Sequence, residues 1–260
     1  MDQNNHFSQY ASAIRNLNLG SISHAGQIPS TFLLGQDRDL ASYYIPFDIV
    51  NAGAKVVLVG ITPGFTQWKN AMQEAQKQLA SGAPLDVAHA AAKQTGGFSG
   101  ALRPNLIALL DSIGLHGLLK VTSCDSLFGS NYSLVQTTSI LRHPIFVGGK
   151  NYSGTPHMVK TPFLRHQILD HFAKEAAKMK NPLYIPLGPK VSKGLAWLAA
   201  EGVIKSDRIL DGLPHPSGAN AERIAYFLGR KKKEALSVKT NPALLDFLRE
   251  KLVSQVAYLK

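Results

Sequence analysis

Lys55-Val-Val-Leu-Val-Gly60 decides how this chain is read. Its consecutive apolar residues, mostly β-branched, predict a strand buried on both faces, the kind found in parallel sheets. Ile61-Thr-Pro-Gly-Phe65 follows as a turn, in which Pro63 fixes the backbone and Gly64 permits a positive φ. Residues 67–93, rich in Ala, Gln, Lys and Glu, read as helix with a break at Gly82-Ala-Pro84. The glycine loop Thr95-Gly-Gly-Phe-Ser-Gly100 leads into a helix over 102–113 that ends at Gly114. Leu118–Thr122 reads as a second strand, 125–160 as a long irregular stretch and 162–180 as a helix. Pro182-Leu-Tyr-Ile-Pro-Leu187 is a short strand running through Gly188-Pro189 into a helix over 190–201. A fourth strand is expected at 207–211, with helices at 220–236 and 242–258. Upstream, 1–18 suits a short helix and 19–54 reads as irregular. Strands alternating with helices predict an α/β fold, a three-layer α-β-α sandwich around a central, mainly parallel four-stranded sheet. We expect one domain over 1–260, with an N-terminal extension over about 1–50 and an inserted helical segment over about 66–94.

Charge narrows the partners. With 28 Lys and Arg against 17 Asp and Glu, the net charge is +11, which favours a polyanion such as DNA, because cations that neutralise phosphates release counterions. The single cysteine, Cys124, excludes an intrachain disulfide and any thiolate cluster for zinc or iron-sulfur. The histidines show no metal-ligand spacing, so no metal and no cofactor are expected. The polar start MDQNNHFSQY lacks the apolar run of a signal peptide, and no stretch approaches the roughly 18 apolar residues of a membrane helix. A cytoplasmic monomer without membrane contact is the expectation.

In parallel α/β sheets, ligands sit beyond the carboxyl ends of the strands. Three polar turns fall at such ends, 60–64, 123–126 and 212–220, and are expected around one cleft. Gly60 lets the backbone approach a ligand, and exposed N–H groups through Gly64 suit a phosphate or a base carbonyl. In Leu213-Pro-His-Pro-Ser-Gly218, Pro214 and Pro216 brace His215 in a rigid extended segment. Ser217, Gly218 and the following helix start offer donors to a phosphate, and a rigid imidazole there suits a leaving group that develops negative charge. Lys190 and Ser192, in a first helical turn, are further phosphate candidates, and Phe98 is an aromatic placed to stack a flipped base. The plainer readings are an ordinary turn at 60–64, a helix-entry loop with a surface histidine, a solvated first turn and a core phenylalanine.

Taken in order, these pieces resemble the uracil-DNA glycosylase superfamily over roughly 55–230. Its first motif, an apolar strand followed by a G-x-x-P-G-like turn, corresponds to Val56–Gly64; its T-G-x-P-F-x-G loop and following helix correspond to Thr95–Gly100 and Ala101–Ile113. The pair after its next strand corresponds to Thr122-Ser123, its later L-G to Leu187-Gly188, and its closing H-P-S to His215-Pro-Ser217. The resemblance implies a monofunctional DNA glycosylase, with Gly60, Ile61, Thr62, Pro63 and Phe65 under the flipped nucleotide and Phe98 stacked on the base. It implies His215 stabilising the departing base, and Ser217 and Gly218 with Lys190 or Ser192 holding phosphates. Asn220 and its neighbours would fill the gap left in the duplex. Thr62 stands where many relatives carry an acidic or amide residue that places the water, so Thr62 is the candidate for that role, with Asp125, Asp37 and Asp48 as replacements. Ser123 stands where uracil readers carry Asn. That substitution and the long 66–94 segment suit a bulky modified pyrimidine, with glucosylated hydroxymethylcytosine of phage DNA the first candidate and anti-phage defence the implied role. Uracil or another deaminated base is the alternative substrate, and a non-catalytic DNA-binding member the alternative class.

Overall fold

The computed structural model describes residues 6–98 and 102–259. In chain order the elements are α1 (His6–Arg15), β1 (Leu33–Asp37), β2 (Leu40–Tyr43), β3 (Val56–Gly60), α2 (Phe65–Ala80), α3 (Leu85–Gly96), α4 (Leu102–Ser112) and α5 (Leu115–Leu119). There follow β4 (Val135–Ser139), β5 (Ile145–Val147), β6 (Lys150–Asn151), α6 (Pro162–Gln167), α7 (Lys174–Ala176), β7 (Leu183–Pro186), α8 (Pro189–Ala200), α9 (Ala221–Phe227) and α10 (Pro242–Tyr258). The chain forms two compact units, each assembled from separated segments: the first from Met1–Val50, Ile61–Gly97 and Thr138–Glu175, the second from Asn51–Gly60, Phe98–Thr137 and Ala176–Lys260.

The second unit is built on the stretch that opened the reading. Val56–Gly60 is buried at every position and lies at the centre of a three-stranded sheet, order β4-β3-β7, with parallel strands. Val56 and Leu58 enter a core with Leu106, Leu109 and Leu110 of α4, Ile185 of β7, Ile224 and Phe227 of α9, and Leu252 of α10. The fold is therefore mixed α/β with a parallel sheet of three strands, not four. At 207–211 only a single parallel bridge forms, Tyr184 to Ile209. Leu118–Thr122 is not a strand either. Leu118 N bonds Gly114 O within α5, Lys120 ends that helix at φ +57, and Val121 N bonds His116 O, local pairings that leave the segment no ladder to join. The second parallel strand is Val135–Ser139, inside the expected irregular stretch. Its Gln136, Thr137 and Thr138 are polar, which conceals the strand, yet all are buried; Gln136 accepts a hydrogen bond from Asn51 N at 3.0 Å, which satisfies its amide oxygen. The pair Thr122-Ser123 therefore does not follow a strand.

The first unit holds an antiparallel sheet, order β1-β2-β5-β6, where 19–54 was expected to be irregular. Its helices α2 and α3 break at the expected place, and α1 agrees with the expected short helix. Gly96 lets α2 and α3 close up: a Cβ there would stand 2.8 Å from Phe47 Cζ and 2.9 Å from Ala71 Cβ. Trp68, wholly buried, donates Nε1–H to Tyr44 O at 2.9 Å. The expected 162–180 helix is interrupted by a π-helical stretch, Ile168–Ala173, and is over by Ala176. The expected 220–236 helix stops at Phe227, leaving the basic run 230–233 outside it.

Candidate functional site

His215 sits at the carboxyl end of β7. Gly188 takes φ +100, and a Cβ there would meet His215 Cβ at 3.3 Å, so glycine lets the imidazole lie where it does without strain. Pro214 and Pro216 are buried, and Asn105 Nδ2 donates to Pro216 O at 3.0 Å, pinning the segment from below. Ser217 N donates to His215 Nδ1 at 3.2 Å. Nδ1 is thus the lone-pair nitrogen and Nε2 carries the proton. Burial pushes the imidazole's pKa down, so the ring is a neutral N–H donor at pH 7. Beside it, residues Gly218–Asn220 form a short 3-10 turn. Asn220 Nδ2 donates to Ser217 Oγ at 3.3 Å, which leaves the serine proton for an external acceptor, while Asn220 Oδ1 accepts from Arg223 Nη1 at 2.9 Å. Gly218 is exposed.

Other expected members of this group are placed differently. Ser192 Oγ lies 2.5 Å from Asp211 Oδ1 and 3.1 Å from Gly188 O, so its proton is committed to the protein and the side chain ties α8 to the segment leading to His215. Asp211 had no signal in the sequence beyond its place four residues before His215. Lys190 is exposed on the first turn of α8. Ser123 is a cap: its hydroxyl donates to Asp111 Oδ2 at 2.7 Å and accepts from Asp125 N at 3.1 Å, so it has no proton left to give a base edge. Desolvation works to raise the Asp111 pKa, but hydrogen bonds from Cys124 and Ser123 outweigh it and hold the carboxyl below its ordinary value. Asp125 is exposed and lines two open clefts, of about 730 and 410 Å³, to neither of which His215 contributes. Phe98 is 8% exposed and belongs to the core with Leu58 and Leu106, so it presents no open face for stacking; Ser99 and Gly100 of its loop lie outside the described residues.

The turn after β3 is also already satisfied. Gly60 is buried and closes β3. Ile61 O accepts from Leu141 N at 3.0 Å, and Pro63 is buried. Gly64 is extended at φ −89, not left-handed; its N–H bonds Gln67 Oε1 at 3.0 Å, and Phe65 N–H bonds Asn151 Oδ1 at 2.9 Å. Those two N–H groups are not available to an anion. Phe65 instead stacks on Trp68, with ring centroids 6.1 Å apart. Thr62 Oγ1 donates to His143 O and accepts from Ile145 N, both at 3.0 Å. Its single proton is spent on a backbone clasp, which removes it from the role of holding a water.

Of a buried charged network in the first unit, the sequence had offered only Asp48, as a residue to place the water. Asp48 receives His89 Nε2 at 2.9 Å and Tyr44 Oη at 3.4 Å. Desolvation works to raise the Asp48 pKa, but the hydrogen bond and charge of His89 hold it down. Lys93, 2% exposed, donates Nζ–H to Ile49 O, and burial lowers its pKa to about 8. Glu175 accepts from Thr138 Oγ1 at 3.0 Å and lies 3.9 Å from Arg142 Nη1. Arg142 Nη2 reaches His171 Nδ1 at 3.1 Å, and His171 stands edge-on to His143 at 4.6 Å. Burial first, then the Arg142 charge, lowers the pKa of His171 to about 4 and that of His143 well below its usual range. His143 Nδ1 and Arg142 Nε have no hydrogen-bond partner among the described residues. The members come from stretches scattered over more than a hundred residues, and none shows a motif.

No family model matches the chain, and no solved structure matches it. A search of curated proteins finds the uncharacterized protein YoxB of Bacillus subtilis (strain 168), 35% identical over 234 residues, which cover 89% of this chain and 91% of that protein. The chain belongs to the YoxB family. In this YoxB-family chain the charge is unevenly shared: eighteen of the 28 basic and nine of the 17 acidic residues lie in the second unit, which carries +9 of the net +11. The His215 segment therefore stands on the strongly basic unit. Among the described residues no group of His, Cys, Asp and Glu could hold a metal ion, and no helix is long and apolar enough to cross a membrane.

Proposed function

We propose that this chain is a monofunctional DNA glycosylase in which His215 stabilises the departing base. The observation that carries the reading is the proline-braced imidazole, neutral with its proton on Nε2, next to the short 3-10 turn Gly218–Asn220 on the basic unit. The order of the motifs, which resembles the uracil-DNA glycosylase superfamily, supplies the reaction. As the C1′–N bond breaks, its electron pair leaves with the base; a fixed neutral N–H donor stabilises the anion that forms without first surrendering a proton. The sugar passes through an oxocarbenium-like state that neighbouring phosphates favour, and water adds to C1′ and gives up a proton to solvent. Ser217 Oγ–H and the N–H groups of Gly218 and Ala219 serve a flanking phosphate, the Asn220 N–H being held by Ser217 O. Thr62, Phe98 and Ser123 drop out of the machinery, because their hydroxyls and ring are committed elsewhere.

A bulky modified pyrimidine remains the first substrate to try, glucosylated hydroxymethylcytosine of phage DNA before uracil. The test is incubation of the protein with each DNA and detection of the released base by mass spectrometry. Release from one of them, reduced about 10²–10³-fold in His215→Ala, supports the reading, since that is the usual cost of losing one such donor. Tight binding without release from any DNA favours a non-catalytic DNA-binding protein, and release unaffected by His215→Ala removes the role given to that residue.

A further inference from the structure

We propose that the loop between α9 and α10, residues 230–240, is a second backbone-binding element for duplex DNA, and that Glu222 is the positioning residue that shapes it. The inference rests on the DNA-binding part of the reading above but not on the hydrolytic part. The helix carrying Glu222 ends at Phe227; Gly229 turns the chain at φ +70 and Arg230 N bonds Ala225 O, so the basic tract leaves the helix and folds back along it. Glu222 holds the loop there. Its carboxylate accepts from Lys231 Nζ at 2.8 Å, Ser237 N at 3.1 Å, Ser237 Oγ at 2.6 Å and Thr240 Oγ1 at 2.5 Å. Lys231 is thereby spent inside the protein. Arg230 lines a cleft shared with Asp111 and Asp125, which blunts its charge. Lys232, Lys233 and Lys239 are exposed and remain for an external anion.

The loop is also fastened to the His215 segment. Arg223 Nη2 donates to Lys239 O at 3.2 Å, Arg223 Nη1 to Asn220 Oδ1 at 2.9 Å, and Asn220 Nδ2 to Ser217 Oγ at 3.3 Å. Three lysines are thus held at a fixed offset from the turn assigned to the flanking phosphate, an arrangement suited to a continuous backbone rather than to a single small anion. A tract that only kept the protein soluble would need no such clasp.

This reading fixes an unusual sign. Glu222→Gln removes a negative charge from a basic surface, which by bulk electrostatics tightens a polyanion. A positioning role requires the opposite. Glu250→Gln on α10, exposed and outside the clasp, is the control for bulk charge. Binding of a duplex of about 20 base pairs is followed by fluorescence anisotropy across a salt series. The double variant Lys232→Gln/Lys233→Gln, both at exposed sites that folding does not need, lowers the slope of log K against log salt by about 2, close to 1 per phosphate contact. Glu222→Gln weakens binding severalfold and lowers the slope, with an unchanged far-UV spectrum, while Glu250→Gln binds as tightly as the wild type or tighter. The proposal is overturned if both glutamate variants tighten alike, if the double variant keeps the wild-type slope, or if these effects appear with single-stranded RNA and not with duplex DNA. A protein that passes this test yet releases no base keeps the DNA-backbone element and loses the hydrolytic reading.

Discussion

Gly188→Ala probes the geometry on which His215 depends. Gly188 has φ +100 and ψ 161, a region that only glycine occupies without strain, and an alanine held there costs about 1–3 kcal/mol. Its Cβ would also stand 3.3 Å from His215 Cβ and 3.5 Å from His215 Cδ2, so one side must yield by a few tenths of an ångström. The imidazole segment is braced by Pro214, Pro216 and the Asn105 bond, which makes that displacement costly, and the total comes to about 2–4 kcal/mol. For a chain of this size each kcal/mol lowers Tm by roughly 2–4 °C, so thermal unfolding should fall by about 4–16 °C. Because the displaced atom belongs to the ring that meets the leaving base, base release under single-turnover conditions should also drop by about tenfold or more. Gly202→Ala is the matched control: φ is +75 there, but nothing lies within 4 Å of the added Cβ. It should cost about 1–2 kcal/mol of stability and leave base release intact. If Gly188→Ala and Gly202→Ala behave alike in both measurements, the close approach of Gly188 to His215 has no functional meaning and the argument for a rigid imidazole fails.

Other outcomes follow from the first unit. Thr62→Val, nearly isosteric, strands the Ile145 N–H and the His143 carbonyl and should lower stability in urea by about 2–4 kcal/mol, with Thr62→Ser recovering most of it. Equal stability of the valine variant would show that the hydroxyl is not a clasp. Glu175→Gln uncovers the Arg142 and Lys93 charges in a buried setting and should cost about 3–5 kcal/mol, measured the same way. Acid should destabilise this unit early. His171 titrates near 6.5 when unfolded but near 4 when folded, so the unfolded chain takes up protons first and stability falls as pH drops from about 6.5 to 4. Asp48, whose folded pKa is depressed, adds a further loss only below its ordinary value of 3.8. The urea midpoint followed against pH checks this, and His143→Gln with His171→Gln should flatten the profile above pH 4; an unchanged profile would mean that these imidazoles are not buried neutral.

The sequence alone determined the features that arise from near neighbours. The run Val56–Val59 could satisfy its side chains only by burial on both faces, and it is the central strand. Gly82-Ala-Pro84 broke the helix, and Pro189 at a helix start after Gly188 marked the turn out of β7. Pro214 and Pro216 announced a rigid His215, because proline acts on the backbone of its own and the preceding residue. Tertiary structure decided what depends on distant partners. The strand Val135–Ser139 is polar by composition and is buried because Asn51 and Glu175 meet its Gln136 and Thr138. Thr62 and Ser123 looked available for chemistry until His143, Ile145 and Asp111 claimed their hydroxyls. The Asp48–His89–Lys93–Arg142–Glu175 network is assembled from single residues far apart in the chain. A hydrogen bond or ion pair between such residues leaves no periodic trace, so only the folded chain decides which polar groups are spent and which remain for a ligand.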